Sequence, residues 1–216
     1  MVPTPTHIRR NRIASAAIPV LGFSDWEYDM LDEVLVYPRT FDGSFGYDGT
    51  GRAETEGLVG GTGGAFNRVL ALSRGDLFRG FRGPGDKANV GIHEFAHLVD
   101  KGDGAVDGIP AAMPREAIRP WLELMHRELR RHVRGRSDIP EYAFTNEQEF
   151  FAVLSEYFFE SPDGLAENHP ALHEMLCKAF RQDTLRRLRA AHRAGAAPPR
   201  RRQIRRRAGR AHRIPT

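Results

Sequence analysis

Two histidines four positions apart, with a glutamate directly after the first, form the most constraining feature of the chain: His93-Glu94-Phe95-Ala96-His97. Four residues of α-helix turn through about 400°, so both imidazoles project from one face, where they can bind a single Zn²⁺. Glu94 lies beside the ion without being a ligand, where it can accept a proton from water. The motif therefore predicts a metal-binding helix with hydrolytic chemistry. The alternative is a pair of ordinary surface histidines on an amphipathic helix.

The residues around the motif support a helix. Apolar side chains in Lys87–Lys101 recur at helical spacing, and Gly102 is well placed to end the helix. The loop that follows, Lys101–Pro114, is rich in Asp, Gly and Pro, but its spacing does not fit an EF-hand. We expect its aspartates to make turns. Pro114–Val133 is predicted to be a second, amphipathic helix.

A catalytic zinc site takes three protein ligands and keeps one position open, so a third ligand is expected elsewhere in the chain. The stretch Thr145–Gln148 has the form of a capping box and predicts a helix from Asn146 to Glu160. Glu149 and Glu156 are seven residues apart and share one face of that helix. The spacing leaves both glutamates as alternative third ligands.

The remaining elements indicate an α+β domain. Strands are predicted at Glu33–Tyr37 and Arg68–Leu72. Glycine dominates Phe41–Gly64, which predicts turns and a flexible surface loop. A last helix is expected over Pro170–Arg187. We predict a small sheet packed on helices that bring His93, His97 and one of the two glutamates, Glu149 or Glu156, together.

Three regions are expected along the 216-residue chain: a flexible arm over 1–16, a metallopeptidase domain over 17–185, and a tail over 186–216. The tail holds twelve arginines and no acidic residue, which leaves 20 basic against 28 acidic residues in the rest of the chain. Such a segment is expected to be disordered. Contact of the tail with nucleic acid or an acidic membrane surface is the alternative.

Cellular location is predicted from what the sequence lacks. No run approaches the roughly 18 apolar residues of a transmembrane helix. The apolar stretch Ile13–Phe23 is interrupted by Pro19 and Gly22, so we do not expect it to be a signal peptide. The single cysteine, Cys177, cannot form an internal disulfide. The prediction is a cytoplasmic protein.

Four sequence blocks resemble one known family. From Ala17 to Asp183 the chain is similar to the Mlc titration factor A family of zinc peptidases, which belongs with the gluzincins and is related to the catalytic domain of anthrax lethal factor. The resemblance implies a zincin-like fold with the HExxH motif on an active-site helix. It is carried by VLVYP (Val34–Pro38), HEFAHLVD (His93–Asp100), DGAVDGIP (Asp103–Pro110) and YAFTNEQEFFAVLSEYFFESP (Tyr142–Pro162).

The resemblance implies a role for each matching residue. His93 and His97 are the histidine ligands of one Zn²⁺, Glu94 is the general base, and Glu149 is preferred to Glu156 as the third ligand. Tyr142 matches a tyrosine that lies near the zinc in the related toxin, where its hydroxyl could stabilise an oxyanion. The alternative for Tyr142 is an aromatic residue that packs at a helix entrance.

Asp100 lies one turn beyond His97 and could orient a ligand histidine. A hydrogen bond within the loop is the alternative for its carboxylate.

Two functions are implied by the resemblance. The first is hydrolysis of peptide or protein substrates, with an aminopeptidase-like preference for short peptides. An extended substrate could pair with the strand Val34–Tyr37 or with Arg68–Leu72. The second is regulatory, because one family member sequesters a transcriptional repressor of sugar uptake. A similar fold could act by binding a transcriptional regulator.

Overall fold

The computed structural model describes residues 5–38, 57–59 (backbone only), 68–82 and 87–195. These residues form a mostly helical protein with one small sheet, which is compatible with the predicted α+β class. None of the described helices is both long and apolar enough to span a membrane. The elements are α1 (Pro5–Val20), β1 (Glu33–Tyr37), β2 (Gly57–Val59), β3 (Val69–Ser73), α2 (Arg74–Arg79), α3 (Val90–Asp100), α4 (Arg115–Val133), α5 (Glu147–Glu160), α6 (Pro162–Asn168), α7 (Pro170–Phe180) and α8 (Thr184–Gly195).

The sheet has the strand order β1-β3-β2, with β1 parallel and β2 antiparallel to β3. Both longer strands were predicted, and β3 begins one residue later than expected. β2 falls within the segment where only turns and a loop were expected, because three residues are too few to show an alternating pattern. The rest of that segment lies outside the described residues. Since β3 is paired on both sides, it cannot accept a substrate strand as one alternative suggested.

Helix α3, which carries the HExxH motif, lies between two hydrophobic clusters. Ala96 and Val99 pack into the larger cluster with residues of α4, α5 and α7. Phe95 and Leu98 pack into the smaller cluster with β3 and α2. Because apolar contacts cover α3 from two sides, His93 is buried, and the interpretation of the motif as surface histidines is wrong.

The N-terminal segment differs from the flexible arm expected over residues 1–16. Residues 5–20 form α1, which packs against α3. Its polar side chains bond to other elements, since Asn11 donates to the Leu77 carbonyl and Arg12 to the Val34 carbonyl. The buried Ser15 lies directly against α3. The polar composition of this segment predicted a solvated arm, but Asn11, Arg12 and Ser15 contact other elements of the fold.

The C-terminal helix prediction was also wrong in its extent. The expected helix Pro170–Arg187 is two helices, because Arg181 adopts a left-handed conformation (φ 50°) that ends α7. The tail expected over 186–216 is helical as far as Gly195, in α8. Residues 196–216 lie outside the described residues, and the predicted contact with nucleic acid falls mainly on them.

Candidate metal centre

Asn89 fixes the start of the helix that carries both histidines. Its side-chain oxygen accepts a hydrogen bond from the Ile92 amide at 3.2 Å, as an N-cap does. Its side-chain nitrogen donates to the Gly80 carbonyl at 2.9 Å and to Glu160 Oε1 at 2.8 Å. One buried asparagine therefore joins the first turn of α3 to the end of α2 and the end of α5. This sets the position of His93, one turn further along.

A second asparagine fixes the helix that carries the glutamates. Asn146 caps α5, and its Oδ1 accepts from the Glu149 amide at 2.8 Å. The capping box predicted for Thr145 and Gln148 does not form, because the Thr145 hydroxyl donates to the Tyr142 carbonyl and the Gln148 side chain to the Val106 carbonyl. The cap holds Glu149 in the first turn of α5, which packs directly on α3.

Packing of α3 on α5 brings His93, His97 and Glu149 together. One possible ligand atom from each lies within 4.8 Å of the others. His93 Nε2 is 3.1 Å from Glu149 Oε2, and His97 Nε2 is 3.6 Å from Glu149 Oε1. Ligands of one tetrahedral zinc, with bonds of about 2.0–2.1 Å, lie about 3.4 Å apart. The spacing of these donor atoms therefore fits a shared ion.

The surroundings of the Glu149 carboxylate also fit a bound cation. Glu149 Oε2 is buried, and no described donor is aligned with it for a hydrogen bond, although His93 Nε2 is close. Atoms that point at a common ion are near each other without being aligned as donor and acceptor. A cation between the two imidazoles would satisfy this oxygen.

Glu156 lies on the opposite side of the His93 ring. Its Oε1 is 2.7 Å from His93 Nδ1, and its Oε2 accepts from the Asn89 backbone amide. Glu149 and Glu156 are about 10.5 Å apart along α5, so they reach different nitrogens of the same ring. Because a carboxylate only accepts, Nδ1 carries a proton, and Nε2 is the ring nitrogen that faces Glu149 and could bind a metal.

Electrostatics of the centre favour a divalent cation. Glu94 is only 6% exposed, and with Glu149 and Glu156 it brings three carboxyl groups to two imidazoles. Burial alone would lower the pKa of His93, but Glu149 and Glu156 raise it to about 10. Burial and the neighbouring His93 lower the pKa of His97 to about 4. A donor set with this much negative charge suits a divalent cation.

Tyr142 is an exposed residue that lies next to the ring of His93. Its ring centroid is 6.1 Å from that of His93, and the Glu149 carboxylate is close enough to act on its hydroxyl electrostatically. Burial and the nearby carboxylates raise the pKa of the Tyr142 hydroxyl, which therefore keeps its proton at neutral pH. The side chain is 56% exposed, so it borders solvent as well as the ring of His93. Its position permits contact with a bound substrate.

Asp100 makes the loop hydrogen bond that the sequence left open as an alternative. Its Oδ2 accepts from the Gly108 amide at 3.0 Å. Asp103 and Asp107 accept from amides two residues further on, as expected for turn-forming aspartates. Asp100 thereby anchors the loop after α3 to the end of that helix.

Sequence reasoning missed Asn89 and the contact of Glu156 with His93 Nδ1. An asparagine directly before an apolar helical run is typical of an N-cap, and this signal could have identified Asn89. No local signal indicates which nitrogen of His93 each glutamate meets, since that depends on how α5 packs on α3.

The chain is similar to one protein family and to several individual proteins. A family model described as glucose-regulated metallopeptidase M90 matches residues 6–181. An uncharacterized Synechocystis protein is 32% identical over 174 residues, which cover 77% of this chain and 63% of that relative. Mlc titration factor A of Salmonella agona is 32% identical over 183 residues, 80% of this chain and 67% of the relative. For Mlc titration factor A of Klebsiella pneumoniae strain 342 the identity is 31%, over 86% and 72% of the two chains.

Proposed function

Because the chain belongs to the glucose-regulated metallopeptidase M90 family, we propose that it is a zinc-dependent peptidase with a zincin-like fold. His93, His97 and Glu149 hold one Zn²⁺, and Glu94 is the general base. The observation that carries the proposal is the convergence of the three ligand side chains to within 4.8 Å where α3 packs on α5.

The chemistry of the site follows from the positions of its side chains. A bound Zn²⁺ supplies Lewis acidity, which polarises a carbonyl and lowers the pKa of water. Glu94 accepts a proton from the attacking water and passes it to the leaving amine. The protonated hydroxyl of Tyr142 donates to the oxyanion that develops on the scissile carbonyl. Glu156 holds the His93 ring in one tautomer and one orientation.

Peptides or proteins are the substrates in this proposal, with an aminopeptidase-like preference that rests on the family resemblance. The edge strands β1 and β2 can pair with an extended substrate, whereas the central strand β3 cannot. Comparing peptides with free and acetylated N-termini tests the preference, since an aminopeptidase should not cleave the acetylated peptides. The proposal keeps a cytoplasmic location.

Replacing Glu94 by Gln tests the mechanism directly. Zinc content should equal that of the unaltered protein while peptide hydrolysis falls by about 10²–10⁴-fold, because the general base is lost without loss of a ligand. Metal analysis and a peptide assay on the same preparations measure both quantities.

Glu147→Gln provides a matched control, because Glu147 is an exposed glutamate in the same turn of α5 as Glu149. It should leave zinc content and hydrolysis unchanged. Turnover by Glu94→Gln equal to that of the unaltered protein would remove Glu94 from the mechanism. Full zinc content after His93→Ala and His97→Ala together would overturn the metal site itself.

A regulatory function is the second candidate, favoured by the name of two relatives, Mlc titration factor A. In this proposal the chain binds a transcriptional regulator such as Mlc. Co-purification with Mlc should then survive Glu94→Gln, which leaves the surface and the metal ligands in place. Failure to bind Mlc at micromolar concentrations, with hydrolysis intact, would exclude the regulatory function and leave the peptidase function as the remaining candidate.

A further inference from the structure

A second group of metal-binding side chains lies at the junction of α7 and α8, apart from the centre between α3 and α5. His173 and Cys177 are one turn apart on α7, and Asp183 lies in the connection to α8. Possible ligand atoms of these three residues lie within 4.8 Å of one another. None of them takes part in the proposed hydrolysis.

The backbone turn at Arg181 and Gln182 places Asp183 next to the last turn of α7. Arg181 adopts the left-handed conformation, and the Gln182 amide donates to the Cys177 carbonyl at 3.2 Å. The chain therefore folds back on the last turn of α7 before α8 begins. Asp183 then caps α8, with one carboxylate oxygen accepting from the Arg186 amide at 2.8 Å.

The distance between the donor atoms on α7 suits a shared ion. His173 Nδ1 is 3.8 Å from Cys177 Sγ. Nitrogen and sulfur ligands of one tetrahedral zinc lie about 3.5 Å apart, given bonds of about 2.0 and 2.3 Å. The other nitrogen of His173 is buried and has no hydrogen-bond partner among the described residues, and the ring packs against Phe158 with a centroid separation of 5.4 Å.

We propose that His173, Cys177 and Asp183 form a second metal site, which takes Zn²⁺ or a similar transition-metal ion. Imidazole, thiolate and carboxylate together are a donor set typical of zinc and unsuited to Mg²⁺ or Ca²⁺. Three protein ligands leave one position for water, and the exposed Asp183 gives the ion access from solvent. Binding replaces the thiol proton of Cys177, which passes to solvent.

A metal at this junction would join α7 to the first turn of α8. Between the two helices, the Gln182 side chain donates to the Ile18 and Pro19 carbonyls at 2.9 Å each. The junction therefore also holds the end of α1, which packs on the helix that bears the HExxH motif. The ion should stabilise the folded chain by RT ln(1 + c/Kd), where c is the free metal concentration and Kd its dissociation constant.

Cobalt titration of the full chain tests the site, because a cobalt–thiolate bond gives a strong near-ultraviolet charge-transfer band. The variant His93→Ala/His97→Ala should still bind one equivalent of Co²⁺ and develop this band. Cys177→Ser should abolish the band. Asp183→Asn should weaken binding about tenfold or more while the asparagine still caps α8. His126→Ala, at an exposed histidine of α4, is the control and should change nothing.

Protection of the thiol gives a second measurement that needs no variant. Zinc should slow the reaction of Cys177 with Ellman's reagent in the unaltered chain, and a chelator should restore the rate. Absence of a thiolate band, together with equal thiol reactivity with and without zinc, would overturn the second site. Those outcomes do not bear on the peptidase proposal, because the first centre contains no cysteine.

Discussion

At the residue scale, the imidazole of His93 connects the two glutamates of α5. Glu149 lies on its Nε2 side, and Glu156 lies 2.7 Å from its Nδ1. A carboxylate behind a ligand histidine fixes the ring and raises its basicity. In the proposed site Glu156 therefore acts on metal affinity through His93, without touching the ion.

Replacing Glu156 by Gln should lower zinc affinity about 10–100-fold, because the amide carries no charge and has one oxygen where the carboxylate accepts from both His93 and Asn89. Competition with a zinc-binding dye measures the dissociation constant. The control is Glu160→Gln, one turn further along α5, which alters a hydrogen bond to the Asn89 side chain and none to His93. Equal zinc affinity in both variants would contradict the role assigned to Glu156.

Gly108 is the residue in the loop after α3 that tolerates a side chain least. Its φ is +75°, and a Cβ there would lie 2.3 Å from the Glu147 carbonyl at the start of α5. Its amide donates to Asp100, and its carbonyl accepts from Trp121 Nε1 at 2.8 Å. This loop therefore connects the end of α3 to α4 and α5.

Gly108→Ala should lower the free energy of unfolding by about 3 kcal/mol or more, since backbone strain and a backbone clash combine. Gly104→Ala separates the two effects, because Gly104 has φ +91° and no atom within 4 Å of the added Cβ. That control should lose only about 1–2 kcal/mol. Urea unfolding measures both variants, and equal losses would show that the clash with Glu147 is relieved without cost.

At the element scale, α1 reaches α3 through a close contact of two small residues. A Cβ on Gly91 would lie 2.0 Å from Ser15 Oγ and 2.7 Å from Ser15 Cβ. The two helices can therefore approach only because position 91 has no side chain. Gly91 is two residues before His93, so the contact also sets the position of the proposed metal ligands.

A double-mutant cycle should detect this contact. Gly91→Ala is expected to destabilise the fold by about 1–3 kcal/mol through overpacking. Ser15→Gly removes the obstructing side chain, so the double variant should be more stable than the sum of the two single losses indicates. Thermal or urea unfolding of the four proteins gives the coupling energy, and strict additivity would show that the helices separate instead.

At the scale of the whole molecule, Asp138 joins segments that are distant in sequence. Its Oδ2 accepts from Lys87 Nζ at 2.7 Å, the Tyr157 hydroxyl at 2.8 Å and Asn168 Nδ2 at 3.0 Å. Its Oδ1 lies 2.5 Å from His169 Nε2. Burial alone would raise the pKa of Asp138, but the hydrogen bonds from Lys87, His169 and Tyr157 lower it below its usual range.

This network predicts a pH-dependent contribution to stability. Because the folded pKa of Asp138 lies below the unfolded value of about 3.9, its stabilising effect is present above about pH 4 and is lost as the pH falls towards the folded pKa. Asp138→Asn should therefore lower the free energy of unfolding by about 1–2 kcal/mol at pH 6 and by less near pH 3.

Asp32→Asn is the control for this prediction, since Arg68 is the one ion-pair partner of Asp32 among the described residues and both side chains are exposed. Exposed ion pairs contribute little, so this variant should be close to the unaltered protein at both pH values. Urea unfolding at the two pH values measures both variants. A loss for Asp138→Asn that does not change with pH would exclude the charge as its cause.

Local sequence pattern was sufficient for the elements that carry the proposed chemistry. β1 has the predicted bounds, Glu33–Tyr37, and α5 begins one residue after the predicted start and ends at the predicted Glu160. The HExxH spacing placed two imidazoles on one face of α3. Each of these conclusions depends on residues close together in the chain, whose backbone geometry repeats with a fixed period.

Tertiary packing decided what periodicity could not. Glu149 and Glu156 share a helix face, and only the position of α5 on α3 gives one glutamate to Nε2 of His93 and the other to Nδ1. Likewise, the polar residues of α1 resemble a solvated arm until Ser15 meets Gly91. Contacts between residues more than fifty positions apart depend on the relative placement of whole elements, which no local spacing encodes.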